Sequence, residues 1–246
     1  MAIWELRDLS ARLVAPQLSA VIDLARPDPH LAIESLAGGD FPNCRVLGVE
    51  LPDIVRAAAA QPSDVYTRNQ DLVVTYAPPT EDPVRLQIYW TFHAAVEPTG
   101  TAFGIDLAVS IQTSRLEFDP TVTTFSELPP GELYRVTDAG AALPWQESNG
   151  ADQDRDSSCL PAALMRPDDA HVSYLEMPWP RDWQQMSVYR SALLARIAHR
   201  LFCDSLEKGV ILRAQVRAAF LPRKADAELA RQTYDAFAAT APPLTT

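Results

Sequence analysis

The sequence predicts a mainly β protein, α+β by content, whose antiparallel sheets form a sandwich or supersandwich with two C-terminal helices packed on one side. Three observations support this fold class. Short segments with alternating apolar and polar residues recur along most of the chain, Pro- and Gly-containing turns separate them, and helical spacing emerges only near the C-terminus. Successive side chains of a strand point to opposite faces, so alternation indicates half-buried strands.

The clearest strand covers residues 84–93, VRLQIYWTFH, in which every second residue is apolar. Its polar face carries Arg85, Gln87, Tyr89 and His93. Candidate strands precede and follow it, and the connecting segments are short. Sequential strands joined by short loops pair antiparallel, so this part of the chain is predicted to be a meander.

Other elements are predicted in order along the chain. Pro52 and Asp53 suit the first turn of a short helix that continues through residues 57–60. Residues 138–170 lack a sustained period and exceed an ordinary connection, so we expect a long irregular loop. The remaining candidate strands lie at residues 18–25, 31–36, 46–51, 71–77, 105–113, 122–128, 133–137 and 171–177.

The C-terminal part changes to helical spacing. Asp182 and Gln185 resemble a capping box and Gly209 a helix stop, which predicts a helix at about 183–208. A strand at 210–221 and a second helix at about 226–239 follow. No repeat and no convincing boundary divides the chain, so residues 1–246 are predicted to form a single β-rich domain.

Composition restricts the partners. The net charge of −11 opposes binding to nucleic acid or to an anionic membrane, and the chain has no run of about 18 apolar residues. The first residues lack the pattern of a signal peptide, so we expect a soluble, cytoplasmic protein. Three cysteines without a CxxC spacing indicate free thiols in a reducing compartment.

Familiar catalytic and cofactor motifs are missing. The chain contains no GxSxG, HExxH, GxxxxGK[ST] or GxGxxG, so we expect no cofactor and no motif names a reaction. Asp152, Asp154 and Asp156 have the spacing of calcium ligands, but Ser157 and Ala163 occupy positions where an EF-hand needs Gly and Glu. A solvated acidic loop is therefore favoured over a metal site. His199 and Cys203 are four residues apart without a third ligand nearby in sequence.

Polar strand faces provide the main candidate for a binding site. Amides and guanidinium groups offer paired hydrogen bonds to sugar hydroxyls or carboxylates, and Trp145, Trp179 and Trp183 could stack on a sugar ring. The alternative is a water-facing sheet partly covered by helices, which antiparallel sheets commonly have. The candidate ligand-binding residues are Arg85, Gln87, Tyr89, His93, Gln112, Arg213, Gln215 and Arg217.

Two further hypotheses concern catalysis and assembly. His93 or His171 could carry a proton with Glu176 as partner, as in a carbohydrate-active epimerase or lyase. Strand alternation places His171 and Glu176 on opposite faces, so this role needs partners from elsewhere in the chain. A structural or assembly protein, including a homo-oligomer, could use the basic C-terminal segment to contact an acidic surface.

Two stretches resemble an uncharacterised bacterial protein family of unknown function. They are Leu206-Glu207-Lys208-Gly209-Val210-Ile211-Leu212-Arg213 with Phe220-Leu221-Pro222-Arg223, and Val73-Val74-Thr75-Tyr76 leading into residues 84–90. The run of hairpins is also similar in architecture to the galactose-mutarotase-like supersandwich. The catalytic histidine and glutamate motifs of that fold match no stretch here, so the resemblance implies neither an activity nor a site.

Overall fold

The computed structural model describes residues 3–36, 39–41, 43–56, 61–77, 84–98, 100, 102–145, 159–168, 170–182, 184–202 and 205–241. The first half contains β1 (Trp4–Arg7), β2 (Ser10–Val14), β3 (Leu18–Asp23), β4 (Leu31–Leu36), β5 (Gly39–Asp40), β6 (Arg45–Glu50), helix α1 (Asp53–Arg56), β7 (Asp64–Arg68), β8 (Asp71–Tyr76), β9 (Val84–Val96) and β10 (Ala102–Thr113). The second half contains β11 (Glu117–Phe118), β12 (Thr123–Leu128), β13 (Gly131–Thr137), β14 (Ala142–Pro144), β15 (Cys159–Pro167), β16 (Val172–Pro178), β17 (Gln185–Arg190), β18 (Ala195–Arg200), β19 (Leu206–Glu207), β20 (Ile211–Pro222) and helix α2 (Asp226–Ala238).

The strands of this part of the chain form two large antiparallel sheets. Sheet A has the order β1-β2-β3-β4-β6-β12-β18-β17, with β5 beside β4. Sheet B has the order β14-β13-β15-β16-β20-β10-β9-β8-β7, and β11 pairs separately with β19. The predicted mainly β sandwich is confirmed, and β8, β9 and β10 form the predicted meander.

The apolar faces of the two sheets enclose a common core. Trp90 and Phe92 of β9 are fully buried there. Two aromatic side chains of sheet B donate to backbone carbonyls on the sheet A side: the indole Nε1 of Trp90 donates to the carbonyl of Leu47 at 3.1 Å, and the hydroxyl of Tyr76 donates to the carbonyl of Leu24 at 2.9 Å. The large aromatic side chains therefore supply both apolar burial and hydrogen bonds across the sandwich.

A bulge in β6 explains why the Leu47 carbonyl accepts a hydrogen bond from the Trp90 side chain. Leu47 has a φ of 49°, and the pairing register of β12 with β6 shifts between Phe125 and Glu127. The Leu47 amide donates to Ser126 Oγ at 3.0 Å, while its carbonyl accepts from Trp90. Side chains from both sheets thus form the hydrogen bonds that the Leu47 amide and carbonyl would otherwise make with a neighbouring strand.

The predicted helix at 183–208 is wrong, because β17 and β18 form a hairpin there. Outside the helical stripe the segment also contains apolar residues at a spacing of two, such as Val188 after Met186, so the sequence fits an amphipathic strand pair as well. Met186 and Ile197 are buried, but Tyr189 is 62% exposed and Leu193 81% exposed at the turn. Pairing of β18 with β12 extends sheet A and prevails over local helix propensity.

Other predictions at the C-terminal end have mixed outcomes. Helix α2 and strand β20 are confirmed. The long loop predicted at 138–170 is wrong in part, since β14 and β15 lie within it, while residues 146–158 are outside the described residues. The prediction of two C-terminal helices is corrected to α2 alone among the described C-terminal residues.

Helix α2 packs against the outer side of sheet B, over β13, β15, β16 and β20. Asp226 at its first residue is buried and accepts hydrogen bonds from Arg166 Nε at 2.8 Å, Arg166 Nη2 at 2.7 Å and Ser173 Oγ at 2.5 Å. Burial opposes ionisation of Asp226, but these donors hold the pKa of its carboxyl below the usual value. The ion pair therefore anchors α2 to the sheet.

None of the helices in the described segments combines the length and the apolar character required to cross a bilayer.

The hydroxyl of Tyr76 provides a test of the hydrogen bonds across the sandwich. Tyr76→Phe removes the donor and leaves the Leu24 carbonyl buried, so we expect the free energy of unfolding to fall by about 1–2 kcal/mol in urea titrations. The matched control is Tyr134→Phe, because the Tyr134 hydroxyl contacts Glu132 at the surface. A loss in Tyr76→Phe no larger than that in the control would contradict the assigned role.

Candidate functional site

The polar side chains predicted from the sequence lie together on the outer face of sheet B. Directly paired residues of neighbouring strands share a face, so the register of β9, β10 and β20 decides their grouping. Gln87, Ser110 and Arg213 form one row, and Thr91, Asp106 and Arg217 form another. Between these rows lie Tyr89, Ala108 and Gln215, while Arg85 pairs with Gln112 and His93 with Gly104. We call this surface the polar face.

A cavity of about 430 Å³ opens on the polar face. Three of the predicted ligand-binding residues, Tyr89, Arg213 and Gln215, line it. The other five, Arg85, Gln87, His93, Gln112 and Arg217, lie on the same face outside the cavity lining. The full lining consists of Tyr66, Arg68, Asp71, Tyr89, Thr91, Asp106, Ala108, Val109, Ser110, Arg213 and Gln215.

The sequence interpretation missed several of these lining residues. Asp106 and Ser110 alternate with apolar residues on β10, so strand periodicity alone could have selected them. Tyr66 and Arg68 come from β7, which the sequence analysis did not identify as a strand. The burial pattern of β7 lacks a regular alternation, since the strand lies at the edge of sheet B.

Asp106 is the centre of an ion-pair network beside the cavity. Its carboxylate accepts hydrogen bonds from Arg217 Nε at 2.6 Å, Arg217 Nη2 at 2.8 Å and Gln215 Nε2 at 2.9 Å. The imidazole Nε2 of His93 lies 3.0 Å from Asp106 Oδ2, although it is not aligned for a hydrogen bond. Burial opposes ionisation of Asp106, but Arg217 and His93 together hold the pKa of its carboxyl below the usual value.

The same network occupies Arg217. Both branches of its guanidinium fork face Asp106, and its Cζ lies 4.3 Å from the centre of the Phe237 ring on α2. Arg217 therefore joins the polar face to the helix that covers the adjacent strands. The Nε and Nη2 donors of Arg217 are thus already engaged within the protein.

The opposite wall of the cavity is also held by polar contacts. Thr91 Oγ1 donates to Asp71 Oδ1 at 2.8 Å, and Arg68 lies 3.6 Å from the same carboxylate. Burial, with a smaller contribution from Tyr66, raises the pKa of Tyr89, which keeps its hydroxyl protonated at neutral pH. The cavity thus presents hydroxyl, amide, carboxylate and guanidinium groups in fixed positions.

Glu176 lies in the core rather than on the polar face. Its Oε1 is 3.0 Å from His199 Nε2, and both side chains are 1% exposed. The hydroxyls of Ser126 and Tyr174 donate to Oε2. Burial, and secondly the adjacent carboxylate, raise the pKa of Tyr174 well above its usual value, so this hydroxyl remains a donor.

The proton-transfer pair expected from Glu176 with His93 or His171 is therefore not formed. Glu176 and Tyr174 share the inner face of β16, as alternation requires, whereas His171 is exposed before the strand begins. His93 lies on the outer face, next to Asp106. Because the sequence predicts a helix at 183–208 where β17 and β18 form a hairpin, it gives no indication that His199 lies next to Glu176.

The predicted metal candidates Asp152, Asp154 and Asp156 lie outside the described residues, as does Cys203. Within the segments that the structure describes, no group of three or more His, Cys, Asp or Glu side chains is arranged to hold a metal ion. Trp145 and Trp179 are buried, and Trp183 is also outside the described residues.

A smaller cavity of about 140 Å³ adjoins the polar face and shares Arg213 with the large one. Asp182, which was predicted to cap a helix, contributes to its lining and accepts the backbone N–H of Gln215 at 2.8 Å. Burial raises the pKa of Asp182 to about 6, and the bond from Gln215 opposes this shift only in part. Another cavity, of about 390 Å³, lies beside α1 and contains none of the predicted residues.

Asp106 is expected to be essential for stability. Asp106→Asn leaves the Arg217 charge buried without its partner, which should lower the free energy of unfolding by about 3 kcal/mol. Urea unfolding at neutral pH measures this, with Asp64→Asn on the exposed edge of β7 as the control. A loss below about 1 kcal/mol would show that Arg217 does not depend on Asp106.

Asp182 is expected to give stability an unusual pH dependence. Between pH 4 and 6 the folded state keeps a proton that the unfolded state loses, so the contribution of Asp182 to the free energy of unfolding falls as the pH rises through this window. After allowance for solvent screening we expect a fall of about 1 kcal/mol. The measurement is the difference in unfolding free energy between the wild type and Asp182→Asn at pH 4, 5, 6 and 7. A difference that does not change with pH would contradict the assignment.

Comparison with known proteins gives a fold but no family. No family model matches the chain, and none of the curated proteins matches it. A TPR-domain-containing protein from Parabacteroides distasonis aligns with a TM-score of 0.51 and 9% identity over 86% of this chain and 47% of that protein, so the chain spans about half its length. A GalM/aldose epimerase homologue from C. elegans aligns with a TM-score of 0.45 and 9% identity over 85% of this chain and 97% of that protein.

At 9% sequence identity these two alignments show a similar fold alone. No function is inferred from the similarity to the aldose epimerase homologue. The loose architectural resemblance that the sequence suggested, to the galactose-mutarotase-like supersandwich, agrees with the presence of aldose epimerase structures among the neighbours.

Proposed function

We propose that the protein binds a carbohydrate or a small anionic ligand in the cavity of the polar face. The observation that carries this proposal is the convergence of polar side chains from β7, β8, β9, β10 and β20 on one cavity of about 430 Å³. Ligand sites in proteins have volumes of this order and combine a few fixed polar groups with aromatic surface.

The composition of the lining supports a polyhydroxylated ligand. Tyr66 and Tyr89 bring aromatic rings with hydroxyls, and Asp71 and Asp106 bring ionised acceptors. Sugar hydroxyls act as donors and acceptors at once, so a surface that mixes both kinds of group can satisfy them. A merely water-facing sheet does not require side chains of five strands to meet around one cavity.

Ligand screening tests the proposal directly. Differential scanning fluorimetry followed by calorimetry would use monosaccharides, disaccharides, sugar acids and sugar phosphates. We expect at least one class to raise the melting temperature of the wild type, and Tyr89→Ala to weaken its binding by about tenfold or more. The absence of any ligand-dependent shift across the panel would contradict the proposal.

Tyr189→Ala is the matched control for this experiment. Tyr189 is 62% exposed and lies on β17 of sheet A, on the edge strand furthest from β1. Its loss removes the same side chain without touching the cavity. Equal weakening by Tyr189→Ala and Tyr89→Ala would place the binding site elsewhere.

A second candidate function is an epimerase- or lyase-like reaction, and the contact of His93 with Asp106 favours it. A carboxylate oxygen 3.0 Å from an imidazole nitrogen places side by side two groups that can exchange a proton, as a proton carrier and its partner require. The test is deuterium incorporation into a bound sugar in heavy water, followed by NMR. Turnover that disappears in His93→Gln while binding persists would support this reaction, and a bound sugar that never exchanges would exclude it.

A further inference from the structure

Arg213 differs from the other arginines beside the cavity. Arg217 is engaged in two hydrogen bonds with Asp106, and Arg68 lies beside Asp71. Arg213 has no carboxylate partner among the described residues, and its Nε is buried without a hydrogen-bond partner. A guanidinium that has lost part of its hydration without gaining a hydrogen bond or a counter-charge is unfavourable, and an anion in the cavity would compensate it.

The balance of charges in the cavity sets the charge of that anion. Four charged residues line it, namely Arg68, Asp71, Asp106 and Arg213. Asp71 is balanced by Arg68 and Asp106 by Arg217, so the positive charge of Arg213 remains uncompensated. Arg213 lies four residues along β20 from Arg217, away from the row that holds both carboxylates. One unpaired positive charge there suits a monoanion, whereas a phosphate dianion would introduce a second charge with no partner.

The neighbours of Arg213 indicate what else the ligand carries. Ser110 pairs directly with Arg213 across β10 and β20, and Gln215 follows two residues along on the same face. Arg213 is also close enough to Tyr89 to oppose the rise in its pKa that burial causes. Hydroxyl- and amide-bearing residues thus neighbour Arg213 in the sheet, which places hydroxyl recognition beside anion recognition.

We propose that the ligand is an acidic sugar or a similar polyhydroxylated monocarboxylate, with its carboxylate paired to the guanidinium of Arg213. This inference rests on the proposed function, because it assigns the ligand class of the same cavity. Arg213 provides discrimination between an acidic sugar and its neutral counterpart. The other lining groups contribute to binding of both.

Matched pairs of ligands test the inference. Glucose and glucuronate, galactose and galacturonate, and mannose and mannuronate each differ at one carbon, as a hydroxymethyl group or a carboxylate. We expect the wild type to bind at least one uronate about tenfold more tightly than its neutral partner, as measured by calorimetry at low ionic strength. Arg213→Gln should lower the affinity for the uronate much more than the affinity for the neutral sugar, so that the ratio of the two affinities falls to about one.

Arg200→Gln is the control for the loss of a positive charge. Arg200 is exposed on β18 of sheet A, so its replacement changes the net charge equally without altering the cavity. It should keep the uronate preference. Melting temperatures of all three proteins verify that the variants are folded.

A second measurement follows the anion site without a sugar. Acetate is titrated while the Nε–Hε resonance of Arg213, assigned by its absence in Arg213→Gln, is recorded by NMR. We expect this resonance to shift in a saturable manner with acetate and to respond less to chloride at equal ionic strength. An unsaturable or ion-independent response would contradict the anion site.

The outcomes separate the two proposals. Equal binding of hexoses and uronates would overturn the role of Arg213 and leave the proposed carbohydrate site standing. Tighter binding of hexose phosphates than of uronates would overturn the assignment of a monocarboxylate. If no neutral sugar, uronate or sugar phosphate binds and acetate gives no saturable shift, the proposed function is overturned, and this inference falls with it.

Discussion

The two-residue period of three neighbouring strands is the constraint on which the molecule depends. On β9, β10 and β20 every second side chain faces the core, and the residues between them form the polar face. The register that packs Trp90 against its neighbours is therefore the same register that places Asp106 opposite Arg217. A one-residue slip would bury Arg85 and expose Trp90, so core packing fixes the geometry of the candidate site.

Several elements could be predicted from the sequence because local pattern and tertiary environment agree. The strand at 84–93 and helix α2 have a period that matches their burial. The neighbouring strands β8 and β10 are buried at nearly every residue, and their apolar content made them recognisable. The predicted helix at 183–208 failed because its apolar residues satisfy two periods, and only pairing of β18 with β12 decides between them. The sequence could identify the polar face but not its cavity, since Tyr66 and Arg68 reach the site from an edge strand without a recognisable pattern.

The polar cluster in the core has a different physical character from the polar face. Glu176, His199, Tyr174 and Ser126 lie between the sheets, and their partners are mainly each other. Removal of a carboxylate and its polar neighbours from water is costly, and such groups persist where additional hydrogen bonds offset that cost. The cluster joins β16 of sheet B to β12 and β18 of sheet A, so together with the hydrogen bonds from Trp90 and Tyr76 it favours one alignment of the two sheets.

The cavity lies between a central strand of sheet B, β20, and an edge strand, β7. On one side the wall is β20, which pairs with both β10 and β16 in the middle of sheet B. On the other side Tyr66 and Arg68 belong to the outermost of the described strands of this sheet, which pairs with β8 and has a largely exposed surface. Edge strands open at lower free energy than central ones, and a molecule that binds only the closed form shifts that local equilibrium. Ligand binding in the cavity and the pairing of β7 with the sheet are thus thermodynamically linked. A bound ligand would therefore slow the hydrogen exchange of the β7 amides.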